Sequence, residues 1–474
     1  MAILIYICVG VILATACFLG IASWLRVTAI WIFLSLQTIL TFFGFFHSGK
    51  TQLLYFTFDP TGLIFLTILT FLSFYTVFYS FSYLKKTGSL KNRQGVYFGA
   101  LILLIISMTG VYLANHAGLL WVLIEATTLA VSLLIYHERS ALSLEATWKY
   151  LFVCSVGAAL AFVGVLFLGM LLDKAGSQNL SFGLFPQFLK NADPLWLKII
   201  FLFILVGFST KMGLFPMQTI TVDAHTVAPP PISAFISTAL MNVGFVAIFR
   251  FFSAFSGTLI FPWMKDLLLW TGILSVAVSA VYLLSAGHLK RMSAYSSLEH
   301  MGLAAIGLSI GGIGMYAVFL HLILHSLNKA GLFYQLGLMH ESYGTYSIKK
   351  LGNYFGSQPM AGISLFFLLI FLSAIPPSGL FVTEFMILAG LFNTGKWFSF
   401  VLVLLLMTFI IFSLVRTGIK VTFSEPGPED VKPLRSPGKK LIPIYILMLM
   451  IIVLGFFTPP SVSEFIRQAV KIIH

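Results

Sequence analysis

The chain has 474 residues, of which 59% are hydrophobic and only 9% charged, and its mean hydropathy is +1.00. A protein with a water-facing surface does not sustain that balance, so a soluble enzyme is excluded and an all-α polytopic membrane protein is expected. The net charge of +13 is carried by short segments between apolar runs, which speaks for membrane topology and against nucleic acid as a partner.

Crossing a bilayer takes roughly 20 apolar residues. Fourteen such runs are predicted, starting near residues 2, 28, 62, 95, 117, 148, 195, 225, 265, 294, 314, 360, 397 and 441. The first begins almost at Met1 without a basic leader or a small-residue cleavage site, and is read as a span that stays in the mature chain. Three N-terminal spans occupy residues 1–94, a five-helix block 95–252, a second five-helix block 253–422, and a loop, the last span and a short basic tail 423–474. Five is odd, so the second block must cross the membrane in the opposite sense, which makes an inverted repeat. The tail, SEFIRQAVKII, is read as lying on the membrane surface.

Seventeen lysines and arginines fall in loops after odd-numbered spans, and nine in loops after even-numbered spans and the tail. That bias places the odd loops in the cytoplasm and both termini on the far side. The two basic residues left over, Lys211 and Lys329, lie inside spans, where a charge costs roughly 2.5 to 3.5 kcal/mol even on lenient insertion scales. Glu125, His321, His325 and Glu384 share that placement.

Two spans look interrupted. STKMGLFPMQT carries Lys211 just before Gly213 and Pro216, and SAIPPSGLFVTEF carries Pro376 and Pro377 just before Glu384. Both breaks free backbone groups that need protein or water as partners, as in the discontinuous helices of transporters. These are spans 7 and 12, the fourth members of the two blocks.

His321, His325 and Lys329 are spaced i, i+4, i+8 and form one stripe about 12 Å long at 1.5 Å rise per residue. The stripe is read as a proton relay, since histidine takes and releases protons near neutral pH. The same spacing also fits buried polar groups that hold helices together, or a metal-binding histidine pair for which no third ligand is evident. Glu125 and Lys211 are read as a pair whose separation sets how firmly the lysine holds its proton, or as a static salt bridge between spans 5 and 7. Glu384 is either a protonated acid standing alone or a site carrying a proton toward the exit. His225, beside Asp223 and ahead of three prolines, is either a channel-mouth group or a helix-start residue. Glu145 and Lys149 form an i, i+4 pair read as a surface contact.

Cys8, Cys17 and Cys154 lie in apolar runs without C-x-x-C spacing, and there is no Walker loop, dinucleotide glycine fingerprint or zinc-protease signature. No cofactor, metal or redox centre is expected in this chain.

Six stretches in order, LLWVLIEATTL, STKMGLFPMQT, DAHTVAPPPISAFIS, HLKRMSAYSSLEHMG, HLILHSLNKAGLF and SGLFVTEF, resemble the antiporter-like membrane subunits of respiratory complex I, group 4 membrane-bound hydrogenases and Mrp cation/proton antiporters. IEATTL, LEATWKY and YSSLEHMG are most similar to component F of hydrogenase-4. The resemblance implies fourteen helices with inverted five-helix repeats. It also implies a proton path from Glu125 through Lys211 to His321, His325, Lys329 and Glu384, serving a redox reaction in partner subunits, both membrane subunits and a soluble arm. In this chain span 8 offers Asn242 where some complex I members place a lysine, and TITVDAH replaces the usual residues before Asp-Ala-His. The long lateral helix of the largest complex I subunit is not expected. Within the same superfamily, an Mrp-like sodium/proton antiporter and the membrane subunit of an inorganic carbon uptake complex with a carbonic-anhydrase-like partner are the rival readings, and an anchoring scaffold is the plainest one.

Overall fold

A computed structural model of the chain describes residues 1–88, 91–425 and 438–471. Among these, the only strands are the two-residue pair Thr51–Gln52 and Phe56–Thr57, joined antiparallel. Nearly everything else is helix, as it must be where lipid offers no partner to a backbone N–H or C=O. Ten of the described helical runs are long and apolar enough to cross a bilayer, so the chain is a polytopic helical membrane protein.

The chain divides into two compact units. The first comprises residues 1–212, 219–264 and 465–474, and the second 213–218 and 265–464. In the first unit the helices are α1 (Ala2–Phe18), α2 (Ser23–Phe46), α3 (Pro60–Thr87), α4 (Lys91–Leu113), α5 (Ala117–Ile135), α6 (Ala141–Lys174), α7 (Phe185–Leu189), α8 (Pro194–Met212), α9 (Thr219–Val227), α10 (Pro230–Phe235) and α11 (Met241–Ala254). Side-chain caps mark where several of them begin. Asp59 accepts from Gly62 N at 3.3 Å ahead of Pro60, His116 Nδ1 from Leu119 N at 3.3 Å, and Ser140 Oγ from Ser143 N at 3.0 Å. Between α10 and α11 a π turn, Ile236–Leu240, carries the chain straight on, and this run is buried on all sides.

α6 and α8 press together through glycine. A Cβ on Gly207 would sit 2.5 Å from Gly157 O, and one on Gly157 would sit 2.4 Å from Thr210 Cγ2, so both positions must lack a side chain for the helices to come this close. Gly244 acts alike on α11, since a Cβ there would fall 2.3 Å from Met212 N at the end of α8.

The second unit holds α12 (Phe261–Leu284), most of which belongs to it, then α13 (Leu289–Ile310), α14 (Ile313–Tyr343), α15 (Tyr354–Ser357), α16 (Pro359–Leu372), α17 (Gly379–Asn393), α18 (Trp397–Phe423) and α19 (Ile442–Phe456). A last helix, α20 (Pro460–Lys471), belongs from residue 465 on to the first unit and buries Ile466, Ala469 and Val470 on one face. α13 and α14 are joined by Gly311 and Gly312, both at positive φ, and almost every side chain on them is buried. They are the core of this unit.

Candidate functional site

In the first unit the site is built on α5, α6 and α8. Lys211, in the last turn of α8, is 3% exposed. Its Nζ donates to Thr128 Oγ1 at 2.6 Å and to Tyr150 OH at 3.2 Å, and lies 5.0 Å from the centre of the Tyr150 ring. Thr128 Oγ1 in turn donates to Glu125 Oε2 at 3.3 Å. The link between the lysine and the glutamate therefore runs through a hydroxyl that accepts on one side and donates on the other. Ser155 Oγ donates to Glu125 Oε1 at 3.4 Å. Sequence reasoning treated Glu125 as a buried charge, but it is only half-buried, at the edge of the bundle beside the exposed Ser155. A helix edge facing a neighbouring subunit or lipid looks the same as a buried face in an apolar run, so sequence could not separate them.

The helix after Lys211 stops because Gly213 turns to φ 78° and Pro216 follows. Thr221 Oγ1 reaches the carbonyl of Thr210 at 3.5 Å, which serves one of the acceptors left over at the helix end. Asp223 and His225 lie on α9 just beyond. His225 is fully buried, and its carbonyl accepts from Ser233 Oγ at 2.8 Å. Asn242 is buried one residue past the start of α11.

In the second unit the stripe on α14 faces a matching stripe on the antiparallel α13. Lys329 Nζ donates to Ser293 O at 2.6 Å and to Ser296 Oγ at 2.5 Å, and Glu299 stands within electrostatic reach. Two turns away, His300 Nδ1 lies 3.2 Å from His321 Nε2 and 3.5 Å from Glu384 Oε1, and the His325 ring centre lies 5.0 Å from that of His300. His321 Nδ1 lies 2.9 Å from Thr383 Oγ1, whose own hydrogen goes to Leu380 O at 2.9 Å. With the threonine hydrogen assigned to Leu380 O, its oxygen accepts from His321 Nδ1, which leaves the lone pair of Nε2 facing His300. The three histidines are fully buried, and Glu299 and Glu384 nearly so.

Glu384 is delivered by the second break. α16 ends at Leu372 and α17 begins at Gly379, with Pro376 and Pro377 between them. Ser378 closes the gap, donating its hydroxyl to Phe371 O at 3.0 Å and accepting from Leu380 N at 3.2 Å. The backbone groups freed by the prolines thus find protein partners. Asn328, next to Lys329, with its amide oxygen and nitrogen exchanged to suit its neighbours, donates to Leu368 O at 3.1 Å and accepts from Leu372 N at 3.0 Å, which ties α14 to the broken end of α16.

All six buried or half-buried ionisable residues singled out from sequence thus fall into two clusters, Glu125 with Lys211, and His321, His325 and Lys329 with Glu384. Sequence reasoning missed Thr128, Tyr150, Glu299 and His300. The last two had a readable signal, because SSLEHMG sits inside a predicted span and adds an acid and a histidine to it. The hydroxyls had none.

Residues 114–411 match the family described as NADH:quinone oxidoreductase/Mrp antiporter, TM. The hydrogenase-4 component F homolog of Methylacidiphilum infernorum (isolate V4) is 31% identical over 467 residues, covering 95% of this chain and 97% of that protein. NADH-quinone oxidoreductase subunit N of Desulforudis audaxviator (strain MP104C) is 25% identical over 428 residues, covering 87% and 83%. In fold, a chain of an archaeal respiratory membrane complex, the membrane-bound sulfane sulfur reductase, is similar with a TM-score of 0.88 at 21% identity, over 99% of this chain and 97% of that one. The order of the motifs, the helical architecture and the length of these matches agree: the chain belongs to the NADH:quinone oxidoreductase/Mrp antiporter transmembrane family.

Proposed function

We propose that this chain is the proton-translocating, antiporter-like subunit of a multisubunit membrane redox complex, a membrane-bound hydrogenase or a complex I-like assembly. The redox reaction then belongs to partner subunits, other membrane chains and a soluble arm, while this chain moves protons in the inner membrane of a prokaryote. The observation that carries this reading is that each unit sets a buried lysine on at least one side-chain hydroxyl with a carboxylate nearby. Buried lysines left there by chance would cost stability without such partners.

Glu125, Thr128 and Lys211 form one relay segment, with Tyr150 as the second contact of the lysine. A hydroxyl can receive a proton on its lone pair and release its own, so Thr128 passes charge without becoming an ion. His321, His325, Lys329 and Glu384, joined by Glu299 and His300, form a second segment. Asp223 and His225 serve as an entrance. Gly213, Pro216, Pro376 and Pro377 create the breaks that put Lys211 and Glu384 at helix ends, where movement is cheaper than in mid-helix. Movement driven by the partner's electron transfer changes the Glu125 to Lys211 contact and so how firmly the lysine holds its proton.

The finer architecture of this reading has fourteen spans, with α16 and α17 counting as one broken span, and spans 4–8 and 9–13 as inverted five-helix repeats. It is supported by the breaks falling at the fourth member of each block. Both termini are put on the non-cytoplasmic side by the lysine and arginine count. Because the family also covers Mrp antiporters, sodium/proton exchange is the second reading.

The test is proton movement in vesicles holding the intact complex. Lys211→Ala is expected to abolish it while the complex still assembles, and wild-type movement in that variant overturns the proposal. Movement that requires sodium in the wild type turns the reading to exchange.

A further inference from the structure

We infer that His300, His321 and Glu384 form a binding site for a divalent transition metal, zinc above all, and that the bound metal blocks proton movement through the second unit. The blocking rests on the function proposed above, while the binding does not.

The three ligands come from three helices, α13, α14 and α17, and all are buried. One atom from each lies within 4.8 Å of the other two. A tetrahedral zinc ion with ligands at 2.0 to 2.1 Å needs ligand atoms about 3.3 Å apart. His300 Nδ1 to His321 Nε2 is 3.2 Å and His300 Nδ1 to Glu384 Oε1 is 3.5 Å, so two edges of the tetrahedron are already set. The third lies within 4.8 Å and closes as the side chains draw onto the ion. Two imidazoles and a carboxylate suit zinc or copper and suit magnesium or calcium poorly, since those take oxygen alone.

The support behind the ligands is also in place. Thr383 fixes His321 with Nδ1 protonated and Nε2 bare, the tautomer that a metal requires, and a bond of this kind to the far nitrogen commonly accompanies histidine ligands. The glutamate brings a negative charge to offset part of the ion's charge. The fourth position falls to a water or to His325, whose ring centre is 5.0 Å from that of His300. From sequence, His321 and His325 are a histidine pair with no third ligand. The structure supplies that ligand from other helices.

Metal and proton compete for the same lone pairs. With zinc in place, His300 Nδ1, His321 Nε2 and the Glu384 oxygen are all occupied, and none can take a proton from its neighbour.

The intact complex in mild detergent is stripped with a chelator, given zinc chloride and washed, its zinc is counted by mass spectrometry and its ligand shell is read by X-ray absorption at the zinc edge. Wild type is expected to keep one more zinc per complex than a His300→Asn, Glu384→Gln double variant, in a mixed histidine and carboxylate shell. Equal zinc in the two, or a shell without histidine, overturns the site. If the double variant does not assemble, the wild-type spectrum decides together with Thr383→Val, which keeps all three ligands and is expected to bind zinc about 10-fold more weakly. Unchanged affinity in Thr383→Val overturns the ligand assignment. Proton movement is measured in the same vesicles with and without zinc. Zinc at the site with undiminished movement overturns the block. If the metal-free His321→Asn variant loses proton movement while the wild type binds no zinc, the proton function stands and the metal site falls.

Discussion

The two buried lysines are held differently. Lys211 rests on two hydroxyls, Thr128 and Tyr150, and the carboxylate beyond Thr128 is half-buried at a helix edge. Lys329 rests on a main-chain carbonyl and one serine, surrounded by groups that are all closed off from the surface. A carbonyl can hold an ammonium group but cannot hand a proton on, whereas a hydroxyl can do both. Lys211 thus rests on hydroxyls alone near an edge, whereas Lys329 is shared between a hydroxyl and a carbonyl beside a closed cluster of histidines and acids.

The sharpest way to break this contrast is to remove each lysine. Lys211→Ala and Lys329→Met are each expected to lower proton movement in vesicles about 100-fold or more, the low end of what a positioned proton carrier contributes. Lys329→Met should also lower the melting temperature, because it leaves the Ser293 carbonyl and the buried Glu299 without their partner. A drop in assembly with movement intact marks the stripe as structural. Next in size, Thr128→Val removes only the hydroxyl that joins Lys211 to Glu125, and about a 10-fold loss of movement at unchanged assembly is expected. Tyr150 alone carrying the exchange would leave that variant at wild-type rate.

Smaller effects bear on what holds each cluster. Gly207→Val forces α8 away from Gly157 and should lower thermal stability by about 1 to 3 kcal/mol, read as an earlier melt in detergent. In the second unit, His288 caps α13 by accepting from Arg291 N, and burial first, then Lys290, Arg291 and His340, push its pKa down to about 4. A folded-state value below the usual 6.5 means the neutral cap is fully stabilising above pH 6.5, and its contribution fades as pH falls from 6.5 toward 4. His288→Asn keeps the cap without the charge, so its melting temperature should fall less across that window. The smallest effect belongs to the exposed pair Glu145 and Lys149, where Glu145→Gln is expected to change neither movement nor assembly.

Much of the helical layout was legible because a span is a composition signal averaged over many residues. The breaks were legible for the opposite reason, since Gly213, Pro216, Pro376 and Pro377 each act locally and without regard to neighbours. Ionisable residues in apolar runs announce themselves by cost. Thr128, Tyr150 and Thr383 do not, because hydroxyl residues are common in membrane helices and bond their own backbone as readily as a neighbour. Which serine or threonine lies across from Lys211 or His321 depends on helix rotation and on the close approach that Gly157 and Gly207 permit, neither of which is written in one stretch of sequence. The burial of Glu125 failed for the same reason.

The hydroxyl of Thr128 has a second acceptor, Ile124 O, at 3.5 Å. Both acceptors are in reach of the one oxygen, so turning the O–H bond decides which of them takes the hydrogen. Turning about a single bond would therefore disconnect Lys211 from Glu125 with no helix displaced, on the picosecond to nanosecond scale of rotamer jumps. On the function proposed above, a torsion angle is then enough to open and close this link, and large motions elsewhere need only bias which of its two settings prevails.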